Sequence, residues 1–271
     1  MKIIDGIPVF GDPIDEGALR QIKNCARFVD RAALMADHHL GYGVPIGGVI
    51  ASRDRVSPTG VGYDIGCGNK AVLLDVPASE VRAHLSTIMD DIWARVSFGV
   101  GRKNETRVDH DLFDDVTWKL DAVRDLKGLA AQQLGTVGSG NHYVDLFADE
   151  EDRTWVGVHF GSRGLGHKTA TYFLKAGGAR DGIDADPLLL DCYSPLGSDY
   201  IAAMQLAGRY AYAGRDWVCQ RVADIIGANI VDAVHNHHNY AWIERVDGEL
   251  LWVTRKGATP AWPGQRGFVG G

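Results

Sequence analysis

No Cys-x-x-Cys pair occurs in this sequence, and its four cysteines, Cys25, Cys67, Cys192 and Cys219, stand far apart. Neither a disulfide framework nor a zinc ribbon is therefore expected, and a reduced cytoplasm is the natural setting. No apolar run is long enough to cross a bilayer and no basic-then-apolar leader opens the sequence, so membrane insertion and secretion are not expected. Cations are not in excess. The formal net charge of -7 argues against general adhesion to nucleic acid, while leaving room for a local phosphate site where bound cations reverse the field. Linkers, low-complexity tracts and fixed-period repeats are missing as well. With 271 residues, 45% hydrophobic and 23% charged, the chain can bury a sizeable core, and one α+β domain over residues 1–271 is the simplest organisation.

What the sequence does have is glycine-dense loops edged by chemistry-bearing side chains. In the stretch from Ser57 to Gly68, Pro58, Gly60, Gly62, Gly66 and Gly68 force sharp bends, and Asp64 and Cys67 are the only groups with metal or acid-base chemistry. On a straight strand a spacing of three would send them to opposite faces, whereas a glycine-broken turn lets both converge. A carboxylate beside a thiolate suits a divalent transition metal such as Mn, Fe, Co or Zn better than Ca or Mg. The plainer alternative is a turn leading into the apolar run Ala71 to Leu74, with Cys67 as a buried small hydrophobe.

Further loops follow the same plan. Asp15 caps a predicted helix through Leu19, Ile22, Ala26 and Val29, which would deliver Asp37, His38 and His39 to the glycine loop at 41–48. Those two histidines are read equally well as site residues or as a solvated loop. Ser79 is the expected cap of a helix carrying Val81, Leu85, Ile88, Met89 and Ile92, with His84 on its face, and the polar segment from Gly99 to Asp115 reads as a surface excursion bearing a solvated His110. The loop from Leu134 to Asp145 presents Asn141 and His142 together, with glycine-freed N–H groups suited to phosphate oxygens. Trp155 to Phe160 reads as a buried strand ending at His159 and running into the loop Gly161 to Lys168. A long helix from Gly197, capped by Ser198 and open to breaks at Gly208 and Gly214, is expected to end near the histidine-rich run Val234 to Asn239. Tyr240 to Val246, Asp247-Gly248 and Glu249 to Arg255 form a hairpin signal.

Taken together these loops resemble the RtcB family of RNA ligases, from about Ile14 to the last residues. The carriers are Ala36 to His39, Gly60 to Gly68, Gly138 to His142, His159 to His167, His235-Asn236, and Arg255 to Ala258, in that order. The resemblance implies a mixed α/β domain whose loops converge on two Mn ions bridged by the Cys67 thiolate. Asp64 and His142 would complete one ion, and His159 and His235 the other, leaving His84, His110, His237 and His238 outside the ligand set. Asp37, Asn141 and Arg163 would form the catalytic surroundings of the phosphates, with Asn141, His142, Asp145 and Asn236 contacting the guanine nucleotide.

The implied reaction joins an RNA 3′-phosphate or 2′,3′-cyclic phosphate to a 5′-hydroxyl. GTP first guanylylates a histidine, the GMP passes to the RNA 3′-phosphate, and the 5′-hydroxyl displaces it. An archease-like activating protein is the further partner the resemblance implies. Asp145 stands where the family usually has Glu, and Ala36 where it usually has Pro. The family's guanylylated histidine and guanine-binding lysine belong beyond the Lys256-Gly257-Ala258 motif, a segment these 271 residues are expected to lack. Two alternatives accompany the ligase: a binuclear metallo-phosphoesterase using activated water as nucleophile, and a non-catalytic binder of nucleotide or RNA ends.

Overall fold

A computed structural model describes residues 1–257. Three sheets carry the strands. The largest runs β1 (Lys2–Ile4), β2 (Ile7–Val9), β3 (Arg31–His39), β4 (Ile46–Ser52), β12 (Glu249–Arg255) and β11 (Tyr240–Val246), with only β2 and β3 parallel. A four-stranded antiparallel sheet runs β10 (Ile230–His235), β6 (Gly68–Pro77), β8 (Arg153–Phe160) and β7 (Tyr143–Ala148), and β5 (Arg55–Val56) pairs with β9 (Leu190–Asp191). The helices are α1 (Glu16–Ala26), α2 (Pro58–Val61), α3 (Ala78–Ala83), α4 (Leu85–Arg95), α5 (Lys127–Gln133), α6 (Arg163–Ala176) and α7 (Pro195–Ile226). This is the mixed helix-and-sheet architecture expected. All four cysteines are free, and no helix among the described residues is long and apolar enough to cross a membrane.

Helix α7 is the spine. At 32 residues it extends about 48 Å. Its Val218, Cys219, Val222 and Ala223 bury against Val72, Val156 and Val158 of the four-stranded sheet and Ile88 and Ile92 of α4. Nearer its start, Tyr200, Met204 and Ala207 pack with Leu165 and Phe173 of α6 and with Val61 and Ile65. A third cluster seats Ala18, Ile22 and Cys25 of α1 on Leu34 and Ile50 of the large sheet.

Several local expectations need correction. Asp15 does cap α1, accepting from Ala18 N at 2.7 Å, but the helix stops at Ala26, so Asp37, His38 and His39 sit on strand β3 instead of at a helix end. Ser79 caps nothing. Its N–H and hydroxyl both donate to Asp152, at 2.9 and 2.6 Å, and the helix breaks in two at His84. Helix α7 begins earlier than expected because Ser194, not Ser198, accepts from Gly197 N at 3.1 Å, with Pro195 in the first turn. Gly208 and Gly214 do not break it. They are close-approach positions, since a Cβ on Gly208 would meet the Tyr240 ring at 2.7 Å and one on Gly214 would meet Phe160 at 3.2 Å. The helix ends at Gly227, which is left-handed, and the histidine run is reached by strand β10. The hairpin of β11 and β12 pairs from Tyr240–Arg255 to Val246–Glu249, as its sequence signals.

Two chain passages link the large sheet to the four-stranded one. The first leads from β4 by way of β5 and α2 into β6, and the second from β10 into β11. They are bonded to each other: His238 N donates to Cys67 O at 2.8 Å, Gly66 N to Asn239 O at 3.0 Å, and Asn236 N to Asn69 O at 3.0 Å.

Candidate metal centre

In the first passage Ser57 caps α2, accepting from Gly60 N at 3.0 Å, and Gly62 and Gly66 then take positive φ values of 80° and 68°. The resulting turn, closed by Cys67 N donating to Asp64 O at 3.1 Å, puts the carboxylate and the thiol on one side. Close approach is built in, for a Cβ on Gly161 would strike the Asp64 carboxylate. Three imidazoles arrive from elsewhere. His142 comes from the loop before β7, His159 from the end of β8, and His238 from the second passage between the sheets. Asp64, Cys67 and His142 form one group whose ligand atoms lie within 4.8 Å of one another, and Cys67, His159 and His238 form another.

The orientations suit metal binding. His142 Nδ1 lies 2.9 Å from Val137 O, leaving Nε2 3.8 Å from Cys67 Sγ and 3.0 Å from Asp64 Oδ2. With acceptors facing both nitrogens, the ring is satisfied either by a second proton or by a cation at Nε2. His159 Nδ1 faces Asn69 Oδ1 at 2.9 Å, which leaves its Nε2 3.4 Å from the same sulfur. The Tyr143 ring stacks on His159 with centroids 5.6 Å apart.

Electrostatics agree. Burial pushes the Cys67 thiol well above its usual range, and the nearby Asp64 charge adds to this, so the thiolate needs a compensating cation. Burial also acts to raise Asp64, but the hydrogen bond and charge of His142 outweigh it and leave the carboxyl below its ordinary value. Burial drives His159 and His238 down to about 4, which keeps them neutral and able to ligate. A thiolate, a carboxylate and three imidazoles form a donor set that fits two divalent transition metals.

Other predicted residues fall in different places. The structure does not bring His235 into either group: its Nε2 accepts from Arg215 Nε at 2.9 Å and its Nδ1 faces Asp216 Oδ1 at 3.3 Å. Arg215, fully buried, also donates through Nη1 to Gly66 O and Phe160 O, at 2.9 and 2.6 Å, holding the backbone next to Cys67 and His159. Asn141 is exposed, one residue before His142. Arg163, held at φ 53°, donates to Thr136 Oγ1 and Gly99 O, and a Cβ on Gly138 would strike its guanidinium, so it braces the loop that delivers His142. Asp145 is exposed on β7 opposite Gly157, two residues beyond Tyr143. The Asn236 side-chain oxygen is buried without a hydrogen-bond partner among the described residues. Asp37 is exposed and sits against Gly47 and Gly257, the latter donating to Asn239 Oδ1 at 3.1 Å. Of the Arg255 to Ala258 motif, Ala258 lies outside the described residues, as does the rest of the chain beyond it.

A sequence model of the family described as tRNA-splicing ligase RtcB matches residues 18–123 and 120–270. This chain belongs to the RtcB family. The RNA-splicing ligase RtcB of Escherichia coli K12 is 30% identical over 296 residues, covering 96% of this chain and 72% of that protein. The tRNA-splicing ligase RtcB of Thermococcus kodakarensis is 32% identical, covering 85% of this chain and 61% of the relative, and that of Archaeoglobus fulgidus is 30% identical, covering 92% and 66%.

The expectation that His238 stands outside the ligand set meets a structure of this RtcB chain that groups His238 with Cys67 and His159, and the sequence assigns no role to Asn239, Asn69 or Arg215. A signal for His238 and Asn239 exists, because a His-Asn pair occurs at 235–236 and again at 238–239. Asn239 ties the centre together, with its side-chain amide donating to Asp64 O at 3.4 Å and its oxygen accepting from Gly257 N. Nothing comparable marks Arg215, which stands on α7 among the other charged residues Arg209, Asp216 and Arg221.

Proposed function

We propose that this protein is an RNA ligase of the RtcB type, joining RNA 3′-phosphate or 2′,3′-cyclic phosphate ends to 5′-hydroxyl ends with GTP and two Mn ions, in tRNA splicing or RNA repair. The observation that carries the reading is the Cys67 sulfur, which belongs to both ligand groups. Asp64 and His142 would hold one ion with it, and His159 and His238 the other. A pair of dications held there would supply positive charge to phosphate oxygens and lower the barrier to displacement at phosphorus. Around it the chain offers the exposed Asn141 amide and the glycine N–H groups of 138–140 as phosphate donors.

A cleft of about 710 Å3, lined by Tyr63, Asn239, Lys175 and Lys256 among others, gives room for a nucleotide or an RNA end. Lys256 donates to Tyr42 O and Thr59 O at 3.1 and 3.3 Å, and burial brings its ammonium down to about 8. It supplies a positioned donor at the cleft wall. The cytoplasm and an archease-like activating protein complete the reading, together with one domain over residues 1–271.

Metal analysis of the desalted chain should find two Mn per chain, and labelled GTP should bind in their presence by equilibrium dialysis. No label should survive denaturing electrophoresis, because the histidines around the centre are committed: His142, His159 and His238 to the ligand groups, His235 to Arg215 and Asp216, and His237 to Tyr212. An acid-labile labelled band would overturn that assignment and make His167, stacked on Tyr63, the first residue to mutate. A chain that binds no Mn, or that when loaded prefers RNA with a 3′-hydroxyl over RNA with a 3′-phosphate, would overturn the ligase reading.

A further inference from the structure

A second cavity, of about 480 Å3, is walled by residues 93–98 and 102–106 together with Trp217 and Arg221. Trp93, at the end of α4, is 73% exposed, and its ring stacks on Phe98 with centroids 5.4 Å apart and planes 12° from parallel. The exposed indole presents a flat aromatic face at the groove. Arg95, Arg102, Lys103 and Arg221 line the same groove, against the single acid Glu105. Asp91 engages Arg95 at 3.4 Å, while Arg221 lies over the Trp217 ring at 5.1 Å. In a chain with 35 acidic and 28 basic residues this cationic lining runs against the background. The segment read from sequence as a solvated excursion thus supplies two of the four cations.

We infer that this groove is a track for single-stranded RNA, in which a base continues the Trp93–Phe98 stack and the flanking phosphates meet the four cations. Flat aromatic faces beside a positive groove are the combination that holds single strands with little regard for sequence. An acidic peptide would satisfy the cations but would leave the flat ring pair without a matching planar partner. The groove also has a direction. Its wall is joined to the loop of the metal centre: Val137 N donates to Ser97 O at 3.0 Å, Gly99 N to Gly138 O at 2.7 Å, and Phe98 bridges Gly138. A strand lying in it therefore runs alongside the loop that presents Asn141 and His142. The inference rests on the ligase reading for what happens at the strand's end, but the binding itself needs no metal.

The test is fluorescence anisotropy of the full 271-residue chain with a short labelled single-stranded RNA bearing a 3′-hydroxyl, in EDTA, which removes any contribution of the metal centre. Trp93→Ala should weaken binding about tenfold and Trp93→Phe should restore most of it. Arg102→Glu with Lys103→Glu should weaken binding further and reduce the slope of log affinity against log salt by about 0.7 for each phosphate no longer neutralised. Mn content and thermal midpoint should match the parent chain in every variant. The inference is overturned if the parent chain binds no RNA under these conditions, if the variants bind as well as it does, or if a blunt duplex binds equally. Groove binding that persists in a parent chain unable to hold Mn would defeat the ligase reading and leave the track standing.

Discussion

The chain contains two His-Asn pairs three residues apart, and they lead different lives. His235 closes β10 with both ring nitrogens occupied, between Arg215 and Asp216, while its ring stacks on Tyr212 at 3.8 Å. His238 lies past the strand's end, with its N–H bonded to Cys67 O and its ring beside His159 at 5.4 Å. Burial lowers both to about 4. Two identical side chains, both held neutral by burial, thus divide by what faces them. With its nitrogens already facing a cationic donor and a carboxylate, His235 would be a structural link, and His238, grouped with a thiol and another imidazole, would be the ligand.

That division can be broken at its centre. Cys67→Ala should remove both ions, since its sulfur belongs to both groups, while far-UV circular dichroism stays unchanged. Full Mn occupancy in the folded variant would show that the sulfur bridges nothing. His238→Ala should cost one ion of the two, and His235→Ala neither, both read by metal analysis. If the results came out the other way round, the pair at 235–236 would be the ligand after all.

His235→Ala should act on stability instead, by about 3 kcal/mol in denaturant unfolding, because it leaves Nε of the buried Arg215 without its acceptor, while Asp216 keeps its pairing with Lys70. His235→Gln, which can still accept from Arg215, should recover part of that loss. The pH dependence has a definite sign. His235 is near ~6.5 when unfolded and about 4 when folded, so the unfolded chain binds the extra proton between these values. Its contribution is present above ~6.5 and is lost as pH falls through that window to about 4. In the metal-free chain stability should therefore decline on acidification, with a shallower decline in His235→Gln. A parallel decline in the two chains would remove His235 as the cause. The smallest effect belongs to Asp145, exposed on β7, where replacement by Ala should change stability by no more than about 0.5 kcal/mol and leave Mn content intact.

Much of the centre was legible because its signals are local. The glycines at 62 and 66 announce the turn that points Asp64 and Cys67 the same way, and the apolar run Trp155 to Phe160 announces the strand that ends at His159. The Asp247-Gly248 pair likewise fixes its hairpin. What could not be read depends on packing across the chain. Choosing between His235 and His238 requires knowing that Arg215, on a distant helix, reaches one of them. Ser79 looks like a cap until Asp152 is beside it, and Gly208 looks like a break until Tyr240 packs on it. The start of α7 differs from the expected one for a local reason: Ser194 followed by Pro195 is a better opening than Ser198, and both residues are in the sequence.

The two passages between the sheets meet at this centre, and that has a consequence for the chain's freedom. The candidate ligands come from the turn at 64–67, the loop at 142, the end of β8 and the crossing at 238, segments separated by long stretches of sequence. A pair of ions joining them would close several large loops at once and would restrict the unfolded ensemble in the way a cross-link does. Chelation should therefore be felt far from the chemistry. Amide protons at Gly66, Asn236 and His238, whose bonds stitch one sheet to the other, should exchange together and faster in EDTA than with Mn, while those in the middle of α7 keep their protection.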